Sequence, residues 1–394
     1  MSVTEPRGFR AAGVTAGLKP SGRPDVALVV NDGPLQVAAG VFTSNRFKAA
    51  PVLWSQQVLA DGELRAVVLN SGGANACTGP AGFTDTHRTA EVVAELLSAP
   101  GAISEGGEPV GAGEVAVCST GLIGERLPMD RLLAGIRQAA GNLSRSGGDQ
   151  AALAIMTTDT VPKTTVVDAG DFRIAGMAKG AGMLAPALAT MLVVITTDAR
   201  IDARTAQEAL SEATRLTFDR IDSDGCMSTN DTVLLMASGA SGAQPSAAEF
   251  TARLTRACAH LARQLIADAE GASKQIAISV QQACTEQDAV EAGRAIARSN
   301  LLKCAIHGQD PNWGRVLAAL GSTQATFDPE RVDVAMNGVW VCRGGGVGED
   351  RSLVSLAGEQ VEIWVRLGAG EASATILTND LTADYVHENS AYST

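Results

Sequence analysis

The sequence predicts a mixed fold of strands and helices, α+β in class (α/β in the broad sense), in two domains. Three observations carry this. At 394 residues the chain is too long for one ordinary hydrophobic core. Short β-branched runs alternate with stretches of helical spacing along most of it. Beyond residue 320 the signals are almost all strands. The 45% hydrophobic and 19% charged content suits a globular protein, and the 42 glycines follow no period, which points to tight turns rather than a fibre.

Taken in order, the segment up to Gly22 is polar, and the first strands are expected over 25–30, 39–42 and 65–69. The third runs into Asn70-Ser-Gly-Gly-Ala-Asn75, a small polar loop suited either to a cleft wall or to plain turn chemistry. A helix is expected over 84–98, a Gly/Glu/Pro-rich surface loop over 99–113 and a strand over 115–117. Then comes Cys118-Ser-Thr-Gly-Leu-Ile-Gly124 and a helix over 128–140. Backbone N–H groups at such a strand-to-glycine turn can hold an oxyanion, and a plain turn reads the same way.

A short helix over 151–156 leads through Thr157-Thr-Asp-Thr160 to strands over 162–167 and 172–177. Next is the glycine-rich run from Lys179, then a continuous apolar stretch over 191–195 that reads as a buried strand. Thr190 stands at its mouth. That is a good place for a nucleophile, although residue types alone favour a threonine that only packs. Asp202 caps a helix to residue 216 and Ser246 caps the longest helix, ending at Asp268-Ala-Glu-Gly271. Acids at the negative end of a helix call for a cationic partner. The polar loop over 218–232 lacks a regular metal-ligand spacing and reads as a hydrogen-bonded substrate wall. Beyond it come a strand over 233–236 and, after the long helix, a strand over 274–280. A helix over 285–299, a strand over 302–306 and a helix over 312–320 begun by Asp310-Pro311 follow. Four further strands complete the chain: 332–336, 339–342, 361–367 and 372–377. A domain boundary is placed at 281/282.

A net charge of −12 argues against nucleic acid and anionic membranes as partners. No apolar run is long enough to span a bilayer, and the start lacks the pattern of a signal peptide, so a cytoplasmic protein is expected. The seven cysteines form no CxxC pair and the four histidines never fall at metal-ligand spacing. Reduced thiols and no metal are expected, with Cys118 the one thiol near interesting chemistry.

The segment Lys179-Gly180, Gly182-Met183, Pro186 and Ala189-Thr190-Met191 resembles the self-cleaving site of the ornithine acetyltransferase (ArgJ) family of arginine biosynthesis. Other motifs follow in family order: Asn70 to Asn75, Cys118 to Gly124, Met156-Thr-Thr-Asp159, Ser228-Thr-Asn-Asp231, Asp268 to Gly271, Asp310-Pro-Asn-Trp-Gly-Arg315 and Glu388-Asn-Ser-Ala-Tyr392. Gly73 and Ala181 stand where other small residues are common. The resemblance implies an αββα sandwich of the DmpA/ornithine acetyltransferase type over 1–281, similar in site logic to N-terminal nucleophile hydrolases, with a smaller α+β domain over 282–394.

It further implies cleavage between Ala189 and Thr190, giving an α chain 1–189 and a β chain 190–394 that assemble as an α2β2 heterotetramer. Thr190 would be the nucleophile, its freed α-amine the base, and Thr120 with the Gly121 backbone the oxyanion hole. Substrate contacts carried over are Thr157, Lys179, Thr190, Glu270, Asn389 and Thr394. The implied reaction moves acetyl from N-acetylornithine to glutamate by a ping-pong route without a cofactor. Acetyl-CoA stays open as a second acetyl donor. The competing readings are a self-cleaving aminopeptidase or amidase, and a scaffold whose threonine is structural.

Overall fold

The computed structural model describes residues 2–99, 109–184 and 191–391. Ala189, Thr190, Thr394 and most of the loop expected over 99–113 lie outside them.

Two sheets stack face to face between helices. The first runs in the order Phe9–Val14, Val26–Asn31, Ala66–Asn70, Val115–Ser119, antiparallel except for its last pair. The second runs Val37–Phe42, Thr232–Ala237, Leu192–Thr197, Arg173–Lys179, Lys163–Asp168, with one parallel pair at its centre. Alternation along the strands divides the apolar residues between two cores. Leu192, Val194, Leu234 and Met236 face the first sheet, which the helices Gly79–Leu97 and Met129–Gly141 cover from outside. Val193, Ile195, Val233 and Leu235 face the helices Ala203–Leu216 and Ala247–Ala267. A strand buried on both faces needs no polar alternation, which is why 191–195 reads as one apolar run. The result is the expected αββα sandwich.

The third core belongs to a six-stranded sheet ordered Gly346–Val347, Val339–Arg343, Asp333–Met336, Gln360–Arg366, Gln275–Ala283, Ala372–Asn379. Helices Glu286–Ala297, Asn300–His307 and Trp313–Leu320 pack on it. The strand Gln275–Ala283 gives Ile276, Ile278 and Val280 to this core, and it spans the 281/282 position.

Three expectations are corrected and two helices are added. Residues 302–306 form a helix, Asn300–His307, and not a strand. Ser299 caps it by accepting the Leu302 N–H at 3.3 Å, and Leu302, Ala305 and Ile306 bury one helical face. An apolar run this short is ambiguous by period alone. Asp310 is not the cap of the next helix, which begins at Trp313 after Asn312; its carboxylate accepts the Asn312 side-chain amide at 3.0 Å instead. The polar opening contains the strand Phe9–Val14, an edge strand with Phe9, Ala11, Ala12 and Val14 buried. The helices Ala50–Val58 and Ala383–Ala391 are present without an expectation from the sequence.

Candidate active site

Strand ends from both sheets converge on one site. The strand Val115–Ser119 delivers Thr120 and Gly121, which the 70–75 loop clasps. Thr120 N–H donates to Asn70 O at 3.0 Å, and Gly73 N–H and Ala74 N–H donate to Thr120 O and Leu122 O at 3.0 and 3.1 Å. Gly121 sits at φ 132°, where a Cβ would lie 2.7 Å from Gly73 N, so only glycine fits this close crossing. Among the described residues, its N–H donates to nothing. The 70–75 loop is therefore a buttress for the turn. Cys118, directly before it, is buried and its thiol is pushed up to about 12, which makes it inert.

Lys179 ends its strand fully inside the protein, and its Nζ lies 3.3 Å from Thr120 Oγ1. By donating to that oxygen it leaves the threonine hydrogen free to point elsewhere. Burial lowers the ammonium's pKa, opposed chiefly by Asp159 and also by Asp231 and Glu270. A lysine held this way is a strong, desolvated point charge waiting for an anion.

The tetrapeptide 157–160 spends every residue on this neighbourhood. Asp159 accepts Thr157 N–H at 2.9 Å, Gly180 N–H at 2.7 Å and Lys163 Nζ at 2.5 Å. Burial alone would raise its carboxyl, but Lys179, Lys163 and the Gly180 N–H outweigh burial and bring it down to about 2. Lys163, wholly buried, also reaches Asp268 at 2.6 Å. That is the cationic partner expected at the end of the long helix. Thr160 donates to Asp268 as well, and Thr158 Oγ1 donates to Glu270 Oε1 at 2.8 Å.

Glu270 is held on its other oxygen by Asn389 Nδ2 at 3.1 Å, from the C-terminal helix. Its own N–H donates to Ala181 O at 2.9 Å, and a Cβ on Gly182 would stand 2.3 Å from its Oε2. Gly182 is thus the residue that lets Glu270 approach the chain just after Lys179.

The structure brings Thr120, Gly121, Thr157, Lys179, Glu270 and Asn389 into this region; Thr190 and Thr394 lie outside the described residues. Sequence reasoning did not single out Asp159, Lys163, Lys19 or Asp231. Lys19 donates to Met156 O at 2.6 Å and Pro24 O at 2.8 Å, and burial lowers its pKa to about 8. Asp231 is fully buried; its Oδ1 accepts the Met191 N–H at 3.1 Å, and its Oδ2 has no partner among the described residues. Asp159 and Asp231 lie within quoted motifs, but only their contacts reveal what they hold. The loop read as a substrate wall turns its polar groups onto the protein itself: Asp222 to Arg298 at 2.8 Å, and Asn230 to Ala74 O and Ser119 O at 2.6 and 2.8 Å.

The ArgJ family model matches residues 10–394. The chain belongs to the ArgJ family. As a member it is an acyltransferase of arginine biosynthesis. It is 65% identical to the arginine biosynthesis bifunctional protein ArgJ of Streptomyces coelicolor and 61% to that of Thermobifida fusca, in each case over 100% of both chains. Among solved structures, the ornithine acetyltransferase of Mycobacterium tuberculosis, complexed with ornithine, is 61% identical. That match covers 48% of this chain and 96% of the other, with a TM-score of 0.45. Among the described residues, no helix is long and apolar enough to cross a membrane.

Proposed function

We propose that this ArgJ protein is an ornithine acetyltransferase that moves acetyl from N-acetylornithine to glutamate through an acetyl ester on Thr190. The observation that carries the reading is the 3.3 Å contact between Lys179 Nζ and Thr120 Oγ1, which joins a buried cation to a hydroxyl at a glycine turn. Such a pair suits a substrate with a carboxylate beside a reacting carbonyl. Thr190 Oγ attacks the acetyl carbon, and the oxyanion is met by the Thr120 hydroxyl and the Gly121 N–H. Collapse expels the ornithine amine, which takes up a proton. The glutamate amine then attacks the ester and regenerates the hydroxyl. Losing one oxyanion donor costs roughly a hundredfold or more in rate. Lys179 holds a substrate carboxylate, and Glu270, aligned by Thr158 and Asn389, holds an ammonium group.

Self-cleavage comes first: Thr190 Oγ attacks the Ala189 carbonyl, water hydrolyses the resulting ester, and the freed α-amine, with a reference pKa of about 8, serves as base. The fragments stay together as an α2β2 heterotetramer in the cytoplasm, a placement supported by seven cysteines that form no disulfide. No resident cofactor takes part in this route. The relatives' description as bifunctional supports acetyl-CoA as a second acetyl donor to glutamate.

The test is to incubate the purified protein with N-acetylornithine, with and without glutamate, and to repeat with acetyl-CoA and glutamate. Ornithine release that depends on glutamate supports the transferase; release at full rate without it identifies an amidase. An unbroken chain of 40.4 kDa by intact mass would count against processing.

A further inference from the structure

We propose that the loop from Asp222 to Thr232 is a frame holding the chain in register for self-cleavage, with Asp224 and Asp231 as its positioning carboxylates. The inference deepens the self-processing reading above and rests on it. Leu184 and Met191 flank the segment that contains Ala189 and Thr190, and this one loop ties the N–H and the C=O of both. Ser223 N–H donates to Leu184 O at 2.5 Å, and Leu184 N–H donates to Asp224 Oδ2 at 3.3 Å. Met191 N–H donates to Asp231 Oδ1 at 3.1 Å, and Thr232 N–H donates to Met191 O at 3.1 Å. Just upstream, Met183 occupies φ 56°, a left-handed conformation that a non-glycine residue keeps only when its surroundings impose it.

The frame is itself fixed at both ends. Lys303 Nζ donates to Ser223 O and Ser223 Oγ to Asn379 Oδ1, each at 2.5 Å, and Asp222 N–H donates to Leu377 O at 2.9 Å. Those contacts join it to the C-terminal sheet. At the other end Asn230 donates to Ser119 O and Ala74 O, the root of the Thr120 turn. The loop thus ties Leu184 and Met191, the residues bordering the cut segment, to the same turn that supplies the oxyanion donors. An intramolecular attack depends on such alignment, because the hydroxyl must sit near the carbonyl carbon before any bond forms. Burial pushes both carboxyls up, and the backbone N–H groups that they accept pull them back. After the cut, Leu184 and the loop lie on different fragments. Asp224 then serves processing alone, while Asp231 stays with Met191 and serves both stages.

The experiment is a time course of cell-free synthesis, following fragment formation by intact mass for wild type, D224A, D231A, D224N and D231N. The alanine variants should process about tenfold or more slowly, as expected for lost alignment. D231N, which keeps an acceptor oxygen for the Met191 N–H, should process near the wild-type rate, and D224N, which keeps one of the two oxygens that accept the Leu184 and Cys226 N–H groups, should process faster than D224A. Per processed molecule, D224A should transfer acetyl as wild type does. Alanine variants that cut at the wild-type rate would overturn the frame, as would folded asparagine variants that cut no faster than alanine. If alanine variants lose their circular dichroism signal, the asparagine pair decides. A wild-type chain that stays whole would sink both the self-cleavage reading and the frame.

Discussion

Replacing Gly182 by alanine tests the Glu270 site without touching a polar group. The added Cβ would stand 2.3 Å from Glu270 Oε2 and 2.5 Å from its Cδ and Oε1. Comfortable contact needs ~3.5 Å, so the carboxylate must withdraw by about 1 Å. Its bonds from Thr158 Oγ1, at 2.8 Å, and Asn389 Nδ2, at 3.1 Å, leave no slack for that shift. A hydrogen bond stretched beyond ~3.6 Å is effectively lost. Each bond to a charged group contributes roughly 1.5–3 kcal/mol, so a mis-set carboxylate should raise KM by about 10- to 100-fold. The assay is steady-state transfer from N-acetylornithine to glutamate, with KM and kcat measured separately beside a thermal melt. KM should rise for the substrate whose ammonium Glu270 holds, while fragment formation proceeds. An unchanged KM in a folded, processed variant would refute the assignment of Glu270 to substrate binding.

Further outcomes follow for the buried charges and for the nucleophile. Lys163→Met strands Asp159 and Asp268 without their shared cation, and denaturant unfolding at neutral pH should show a loss of roughly 3–5 kcal/mol. Asp159, depressed to about 2, contributes stability above the unfolded carboxylate pKa that is lost as pH falls, so the gap between wild type and K163M should narrow below about pH 4. Asp222 is the opposite case: burial raises it to about 6 despite Arg298, so its contribution is present at low pH and lost as pH rises through about 6. D222N should therefore gain on wild type between pH 4 and 7, by up to about 3 kcal/mol, in paired denaturation curves. Thr190→Ala should stay whole and inactive while Thr190→Ser still cleaves, both read by intact mass; a cut T190A would falsify self-processing.

Much of the sandwich was legible because its signals are local. Asp202 and Ser246 cap their helices as expected, with Thr205 N–H and Glu249 N–H bonded to their side chains. The apolar run after Thr190 became the central strand, because burial on both faces erases alternation in a way that sequence records directly. The failures were also physical. The segment 302–306 is apolar and short, so nothing in its period distinguishes a strand from the helix that Ser299 starts. Phe9–Val14 looks polar and glycine-marked because its edge position leaves Arg10 partly exposed and because Gly13 makes room for the Gln150 carbonyl, which a Cβ would meet at 2.0 Å.

For the site, the residue types that carry chemistry stood in the sequence as motifs: Thr120 with Gly121, Lys179, Glu270 and Asn389. What brings them together did not. Lys163 is one of six lysines, with nothing to mark it until the fold removes it from water and sets it between Asp159 and Asp268. Asp231 is one more acid of a polar loop until its carboxylate meets the Met191 N–H. Gly182 is one glycine of a glycine-rich run until the fold shows that a Cβ there would stand in the space that Glu270 occupies. Sequence by itself determined most of the strands, the Asp202 and Ser246 caps and the reactive residue types, since those depend on near neighbours along the chain. Which charges are buried, and against which partners, only the tertiary structure decided, because desolvation and pairing depend on residues a hundred positions away.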